Sequence, residues 1–398
     1  MKAYAVVDLG FGDAGKGTIV DYLSCLTPNT LIVRYNGGPQ AAHNVVTARG
    51  VHHTFSQFGS GTLVPTVKTY LSKYMWINPL SLLREHEGLA RCDTEALSRL
   101  SVDVDTQIVT PFHQIANRAK EKINQHGSCG MGTGDAVADS LEGLSLTVGD
   151  LLDREVAMRK LKEIQEKKRD EVGEDEILDD PKAPELCMGI YEFLLAQEIQ
   201  IVEGLNTDGF DQIIFEGAGG ILLDENYGFH PHTMWTTTTT ENVKKLWKEE
   251  VTTLGVIRTY STRHGNGPFV TETDLPFVDK HNVVNEWQGG FRTGIFDLEA
   301  TKYAIKVNDG VDALAVTHTD KVCPVICDVY KDFELTPPVK GDLNGQQEVT
   351  KKLFNCNAHT TELTEPFVKE ISDRLNLPVM VESFGERSCD KRKLNEPL

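Results

Sequence analysis

Ala3-Tyr-Ala-Val-Val-Asp-Leu9 runs directly into Gly10-Phe-Gly-Asp-Ala-Gly-Lys-Gly-Thr18, and the chain continues as Ile19-Val-Asp-Tyr-Leu-Ser24. An apolar, β-prone run breaks at a glycine-rich turn and resumes with helix-like character, so the stretch reads as strand, loop, helix. Glycine frees backbone N–H groups to cradle phosphate oxygens, the following helix presents its partial positive charge, and Lys16 adds a full one. Gly12, Gly15, Lys16, Gly17 and Thr18 are therefore candidate contacts for a nucleotide's phosphates.

The turn resembles a P-loop, with one departure. Gly17 stands where Ser or Thr is usual, which removes the customary hydroxyl for magnesium, while Asp13 offers a carboxylate from inside the loop. The strand-then-loop grammar recurs at Leu31–Tyr35 before Gly37-Gly38, at Gln212–Glu216 before GAGG, at Thr253–Ile257 and at Ala313–Thr317. Short apolar strands followed by polar or glycine-rich loops predict an α/β fold: a doubly wound, mostly parallel sheet with a P-loop-like phosphate loop and helical insertions. The chain reads as a single domain over 1–398. A highly charged stretch near 151–185 reads as a solvated helix and loop insertion, and 184–200 has the apolar spacing of a helix that packs on the sheet.

The 398 residues carry 40 Lys plus Arg against 59 Asp plus Glu, a formal charge of −19. Such an acidic surface argues against a nucleic-acid or anionic-membrane partner. No stretch approaches the ~18 apolar residues of a bilayer span, and Asp8 interrupts the N-terminal apolar run before it can serve as a signal segment; a cytoplasmic protein is expected. Eight scattered cysteines without CxxC pairs indicate neither a disulfide framework nor a zinc site. Cys323 and Cys327, spaced for one helix face, read as ordinary thiols. Thr236–Thr240, five consecutive hydroxyls, is either a phosphate-facing loop or an extended β-prone segment.

Taken together, GFGDAGKGTIVDYL, RYNGGPQAAHNVV, HTFSQFGSGTL, GSCGMGTGDA, FEGAGGILLD, YSTRHGNGPFVTE, FRTGIFDLEA, THTDK and ESFGER resemble the adenylosuccinate synthetase family in order and spacing, from Ala3 to Arg387. That resemblance implies a GTP-dependent ligase that joins aspartate to C6 of inosine monophosphate through a 6-phosphoryl intermediate. It implies Asp13 as the base at ring N1 and as a magnesium ligand, with the Ala42 carbonyl as a second ligand. His43 resembles the donor to the transferring phosphoryl group, and Lys16 with Gly15 and Gly17 the holders of the triphosphate. Asp320 in THTD, with Ser383 and Gly385 in ESFGER, resembles the guanine end; a carboxylate suits guanine's paired donor edge and rejects adenine's, though ATP stays open as co-substrate. The family is usually homodimeric.

The acceptor half departs from the family pattern. By that resemblance Gln40, Cys129 and Met234 stand where an asparagine and two threonines contact the acceptor's 5′-phosphate, and Gly219 replaces a glutamine that touches the purine's six-position, which reads as extra room there. The arginine that a neighbouring subunit lends has no counterpart in DAVADSLEGLS. Arg263 in STRHGNGP is well matched as an acceptor or amine contact. Arg292, kept in a loop at 285–292 that has otherwise changed, is either a clamp for a carboxylate or a structural arginine. His264 replaces valine; His230 and His232, an HxH pair without an evident third ligand, do not make a metal site.

Three functional readings follow. The first is the ligase above, on inosine monophosphate or, as in a phage and archaeal branch, on dGMP to give N6-succino-2-amino-2′-deoxyadenylate. The second keeps phosphoryl activation but changes acceptor and amine. The third is a nucleotide-binding regulator without turnover.

Overall fold

The computed structural model describes residues 1–124, 127–277, 287, 289–331 and 333–394. Ten strands form one sheet: β1 (Lys2–Asp8), β2 (Thr30–Arg34), β3 (Lys68–Leu71), β4 (Leu100–Asp103), β5 (Gln200–Val202), β6 (Gln212–Glu216), β7 (Thr252–Arg258), β8 (Ala313–Thr317), β9 (Val379–Ser383) and β10 (Lys391–Lys393). Their spatial order is β10-β9-β8-β7-β1-β6-β2-β3-β4-β5. β1 lies in the middle, parallel to β6 with Lys2 opposite Gln212 and parallel to β7 with Tyr4 opposite Thr252. Within this sheet only the β9–β10 pair is antiparallel. All five strands expected from the sequence are present.

Alternation along β1 explains why it reads as an unbroken apolar run. Tyr4 and Val6 pack with Ile19, Val20 and Leu23 of α1 (Lys16–Leu26), whereas Ala5 faces the opposite layer with Ile213 and Phe215. A strand covered on both faces has no polar side to show. The parallel direction then brings the loops after β1, β2, β6, β7, β8 and β9 to one edge, where open α/β sheets carry their sites.

Four more helices follow, α2 (Pro79–Leu89), α3 (Pro111–Asn124), α4 (Thr133–Leu141) and α5 (Arg154–Val172), of which α3 and α4 contribute residues to the cavity described below. The charged stretch is not simply a solvated insertion. Ala157, Leu161 and Ile164 of α5 are fully buried, and Lys168 places its ammonium 2.7 Å from Asp139 in the interior. The charges of α5 flank a narrow apolar stripe that the charge count conceals. The helix α6 (Ala183–Leu195) buries Cys187, Met188, Tyr191 and Leu194 in the same cluster as Leu100 and Val102 of β4. Cys327 lies in a strand, Val325–Lys331, rather than on a helix shared with Cys323. No helix among the described residues is long and apolar enough to cross a membrane.

Candidate active site

Four central strands end on an ionisable side chain, Asp8, Arg34, Glu216 and Arg258, and all four are buried. Each organises a loop. Asp8 accepts the backbone N–H of Gly10 at 2.9 Å, of Gly12 at 3.3 Å and of Ala14 at 2.8 Å, so a single carboxylate shapes the phosphate loop from beneath. The Lys16 ammonium donates to Asp8 at 3.2 Å and to the Gly219 carbonyl at 2.6 Å. That second bond ties the loop after β1 to the loop after β6.

Asp13 sits in the left-handed region, with φ of 61°. Such a backbone costs energy in a residue other than glycine and persists where neighbours hold it. Arg258 Nε donates to the Asp13 carbonyl at 2.6 Å, and Thr317 Oγ1 donates to the Ala14 carbonyl at 2.7 Å, so β7 and β8 both grip the loop. The carboxylate of Asp13 stays half open to the cavity, with His264 Nε2 at 3.5 Å.

His43 packs against the start of α1: a Cβ on Gly17 would come to 2.7 Å from His43 Cβ. The position therefore excludes Ser and Thr for steric reasons, which accounts for the departure from the usual P-loop. Nδ1 of His43 lies 2.5 Å from Glu216 Oε1, while Ser60 N donates to Glu216 Oε2 at 2.9 Å. Burial alone would raise the Glu216 carboxyl, but Arg34, His43 and Ser60 together hold it down at about 2. With Glu216 ionised, Nδ1 of His43 carries the proton that bridges them. Burial lowers the pKa of His43, and the carboxylate opposes that shift only in part.

Asp13, Lys16, Ala42 and His43 line one cavity of about 1840 Å³. Gly12, Gly15, Gly17 and Thr18 line it too, as do Asp320, Ser383 and Gly385 at one end and Gln40, Cys129, Gly219 and Arg263 elsewhere. Thr319 N donates to the Ser383 carbonyl at 3.1 Å, which draws the loops after β8 and β9 together around Asp320. Gln40 accepts from Thr133 Oγ1 at 3.0 Å, linking the loop after β2 to the start of α4. Burial pushes the Cys129 thiol up, so it faces the cavity as a neutral group.

Arg292 is placed differently. Its guanidinium is paired with Glu272, at 2.7 Å through Nε, and donates to the carbonyls of Gly265 and Gly267; it is not among the residues that line the cavity. Residues 285, 286 and 288 of the same loop lie outside the described residues. Arg263 is buried, donates to the carbonyls of Asn266 and Pro268, and stacks 4.1 Å from the centre of the Phe11 ring.

The room expected at Gly219 does not exist. A Cβ at this position would overlap Met234 Sδ, and the backbone there has φ of +72°. The two departures from the family pattern are one exchange of volume: the side chain missing at 219 is replaced by the thioether of 234. Gly219→Ala is expected to cost roughly 2–4 kcal/mol, from the left-handed backbone and overpacking together; equilibrium urea unfolding measures it, and an unchanged midpoint would contradict this packing.

Thr236–Thr240 is neither a strand nor a bare phosphate loop. Asp224 accepts from Thr238 N at 2.6 Å, and Thr240 N donates to Asn308, so most of the run is consumed internally while Thr236 lines the cavity.

The donor set suits a hard cation: the Asp13 carboxylate and the Ala42 carbonyl share the cavity, and the buried Thr18 hydroxyl has no hydrogen-bond partner. Among the described residues no group of three or more His, Cys, Asp or Glu side chains could hold a metal by itself, so phosphate oxygens would have to supply the remaining ligands.

A parallel sheet with a phosphate loop after its central strand, a carboxylate inside that loop and a histidine–carboxylate pair beside it defines a nucleotide-dependent enzyme of the α/β class. The family model described as adenylosuccinate synthetase matches residues 5–372, and the chain belongs to that family, ligases that form a carbon–nitrogen bond. It is 27% identical over 435 residues to adenylosuccinate synthetase of Histophilus somni strain 129Pt, covering 100% of this chain and 99% of that one. With the enzyme of Buchnera aphidicola subsp. Schizaphis graminum it shares 31% over 374 residues, 83% of each chain. The fold is similar to that of the fully ligated adenylosuccinate synthetase from Plasmodium falciparum, with a TM-score of 0.81 at 19% identity over 99% and 100% of the two chains. It is also similar to cyanophage S-2L succinoaminodeoxyadenylate synthetase (PurZ), bound to dGMP and dATP as an energy donor: TM-score 0.63, 17% identity, 98% and 95% covered.

Proposed function

We propose that the protein joins aspartate to C6 of inosine monophosphate with GTP as phosphoryl donor. The observation that carries this reading is that Asp13, Lys16 and His43 line one cavity together with Asp320, Gly219 and Met234. Asp13 accepts the proton from ring N1. The C6 oxygen then attacks the γ-phosphorus, the bond to the β-phosphate oxygen breaks, and GDP departs. Lys16 holds the phosphates, and His43, oriented by Glu216, donates to the oxygen that gains charge. An arriving triphosphate brings the negative charge that favours the protonated form of the ring. Aspartate's amine next attacks C6, the C6–O bond breaks, and phosphate leaves. Magnesium, held by Asp13 and the Ala42 carbonyl, would neutralise phosphate charge.

Phosphate release tests the reading. GTP with inosine monophosphate and aspartate should release phosphate and yield an N6-substituted purine nucleotide; release that ignores the acceptor or the amine would overturn it. The same assay with dGMP addresses the second acceptor. Asp320 supports guanine as the donor base. Asp320→Asn is expected to erode the preference for GTP over ATP by roughly 10- to 100-fold, the worth of hydrogen bonds to a charged acceptor; competition kinetics measures it.

A homodimer is part of the proposal. Leu141, at the end of α4, is 78% exposed and also lines the cavity, which fits a site whose mouth a second copy covers. Sedimentation should give twice the chain mass.

A further inference from the structure

Glu85 is a buried carboxylate that no proposed step of the reaction uses. It stands in the second turn of α2, is not among the residues that line the cavity, and accepts four hydrogen bonds from three consecutive residues. Ser56 N donates to Oε1 at 3.0 Å and Phe58 N at 3.2 Å, while Gln57 N donates to Oε2 at 2.8 Å and Ser56 Oγ at 2.7 Å. Two bonds accepted at each oxygen suit an ionised carboxylate. Burial pushes its pKa up, and Ser56, Gln57 and the charge of Arg34 oppose that shift. Arg34 grips the other side of the same segment, donating to the carbonyls of Ser56 at 3.1 Å and Phe58 at 2.9 Å.

Residues 56–58 lie between two supports of His43. One residue before them, Phe55 pairs with His43 across the hairpin of His43–Val46 and His52–Phe55. Two residues after them, Ser60 donates to both oxygens of Glu216, through N at 2.9 Å and through its hydroxyl. Little slack lies in between. A Cβ on Gly59 would come to 2.7 Å from Ile32 Cγ2 of β2, one on Gly61 would overlap Ser24 Oγ of α1, and Gly59 N donates to Thr69 Oγ1 at 3.1 Å. Close-packed interiors transmit displacement, so a shift of 56–58 reaches Ser60, then Glu216, then the imidazole that Glu216 holds.

We propose that Glu85 is a positioning residue for the phosphoryl transfer: by drawing residues 56–58 onto α2 it sets both supports of the His43 imidazole, the Phe55 strand and the Ser60–Glu216 contact. Glu85 touches no substrate and acts through Glu216. The inference rests on the ligase reading for what His43 does, and on the geometry alone for how His43 is held.

The test uses the full chain. Glu85→Gln keeps the size of the side chain but turns one accepting oxygen into a donor that faces other donors. Its kcat should fall roughly 10- to 100-fold, the scale of a misplacement of about 1 Å at a reacting group, with the KM for GTP, inosine monophosphate and aspartate unchanged. Leu89→Ala, fully buried at the end of the same helix, should lower the urea midpoint without lowering kcat, which separates position from stability. Proton NMR reports on the imidazole without turnover. The Nδ1–H that His43 shares with Glu216 should give a resonance far downfield, missing in His43→Gln, shifted in Glu85→Gln and unmoved in Leu89→Ala. Ser56→Ala removes one of the four donors and should shift the resonance the same way by less, so the test stands even if Glu85→Gln does not fold. A resonance that stays in place in the folded variants, or a kcat that falls no further in Glu85→Gln than in Leu89→Ala, overturns the assignment while the ligase reading stands. If the wild type releases no phosphate with any oxopurine nucleotide and aspartate, the ligase reading fails, and the resonance alone decides whether Glu85 sets His43.

Discussion

Asp13→Asn should lower turnover by roughly 10²–10⁴-fold, the range for loss of a positioned general base. Asparagine matches aspartate in size and is among the few residues that tolerate positive φ, so the backbone at 61° survives the exchange. The grip of Arg258 on the backbone carbonyl is also untouched. What disappears is the ability to take a proton and the charge offered to magnesium. Single-turnover phosphate release with saturating GTP, acceptor and aspartate measures the loss, and calorimetric titration of GTP shows whether the loop still forms. Near-normal turnover would remove Asp13 from the chemistry.

The second large effect belongs to Glu216. This carboxylate is fully buried, faces the charge of Arg34, and holds both His43 and Ser60. Glu216→Gln removes one of the two buried carboxylates, with Glu85, on which the charge of Arg34 acts, and neutralising one member of a buried charge cluster costs up to roughly 3–5 kcal/mol. His43 loses its orienting partner at the same time, so activity should fall with stability. The pH dependence carries a sign. The folded carboxyl is held at about 2 against an ordinary 4.5, so its contribution is present above pH 4.5 and is lost as pH falls toward 2. Urea unfolding of the wild type should therefore show stability dropping across that window, and the variant should lack this part of the drop. A variant as stable as the wild type at pH 7, with the same acid limb, would contradict the network.

The sheet was legible because both of its faces are covered. β1 is apolar from Ala3 to Val7 and β8 from Ala313 to Val316, and both stop at polar or glycine-rich turns, a pattern that survives without any alignment. The phosphate loop was legible for the same local reason. The charged helix α5 was misjudged because three apolar residues at helical spacing are outnumbered by charge along the sequence, though they alone meet the core. Asp8, Arg34 and Glu216 went unremarked as functional groups, yet each is an ionisable residue that ends an otherwise apolar strand, and that is a usable signal. The Gly219–Met234 exchange was not legible. Two positions fifteen residues apart share one volume only after the loop after β6 has folded back on itself. Arg292 likewise needed Glu272 in space to settle what its guanidinium touches.

The proposed reaction turns on a phosphoryl group landing on the acceptor's own oxygen before the amine arrives. Inosine monophosphate labelled with a heavy oxygen isotope at C6, turned over with GTP and aspartate, reports this directly by mass spectrometry of the released phosphate. The label should appear in inorganic phosphate, one atom per product formed. Unlabelled phosphate alongside labelled water would mean that the amine expels the oxygen directly as hydroxide, without its being phosphorylated first, and the role given to Asp13, Lys16 and His43 would be wrong.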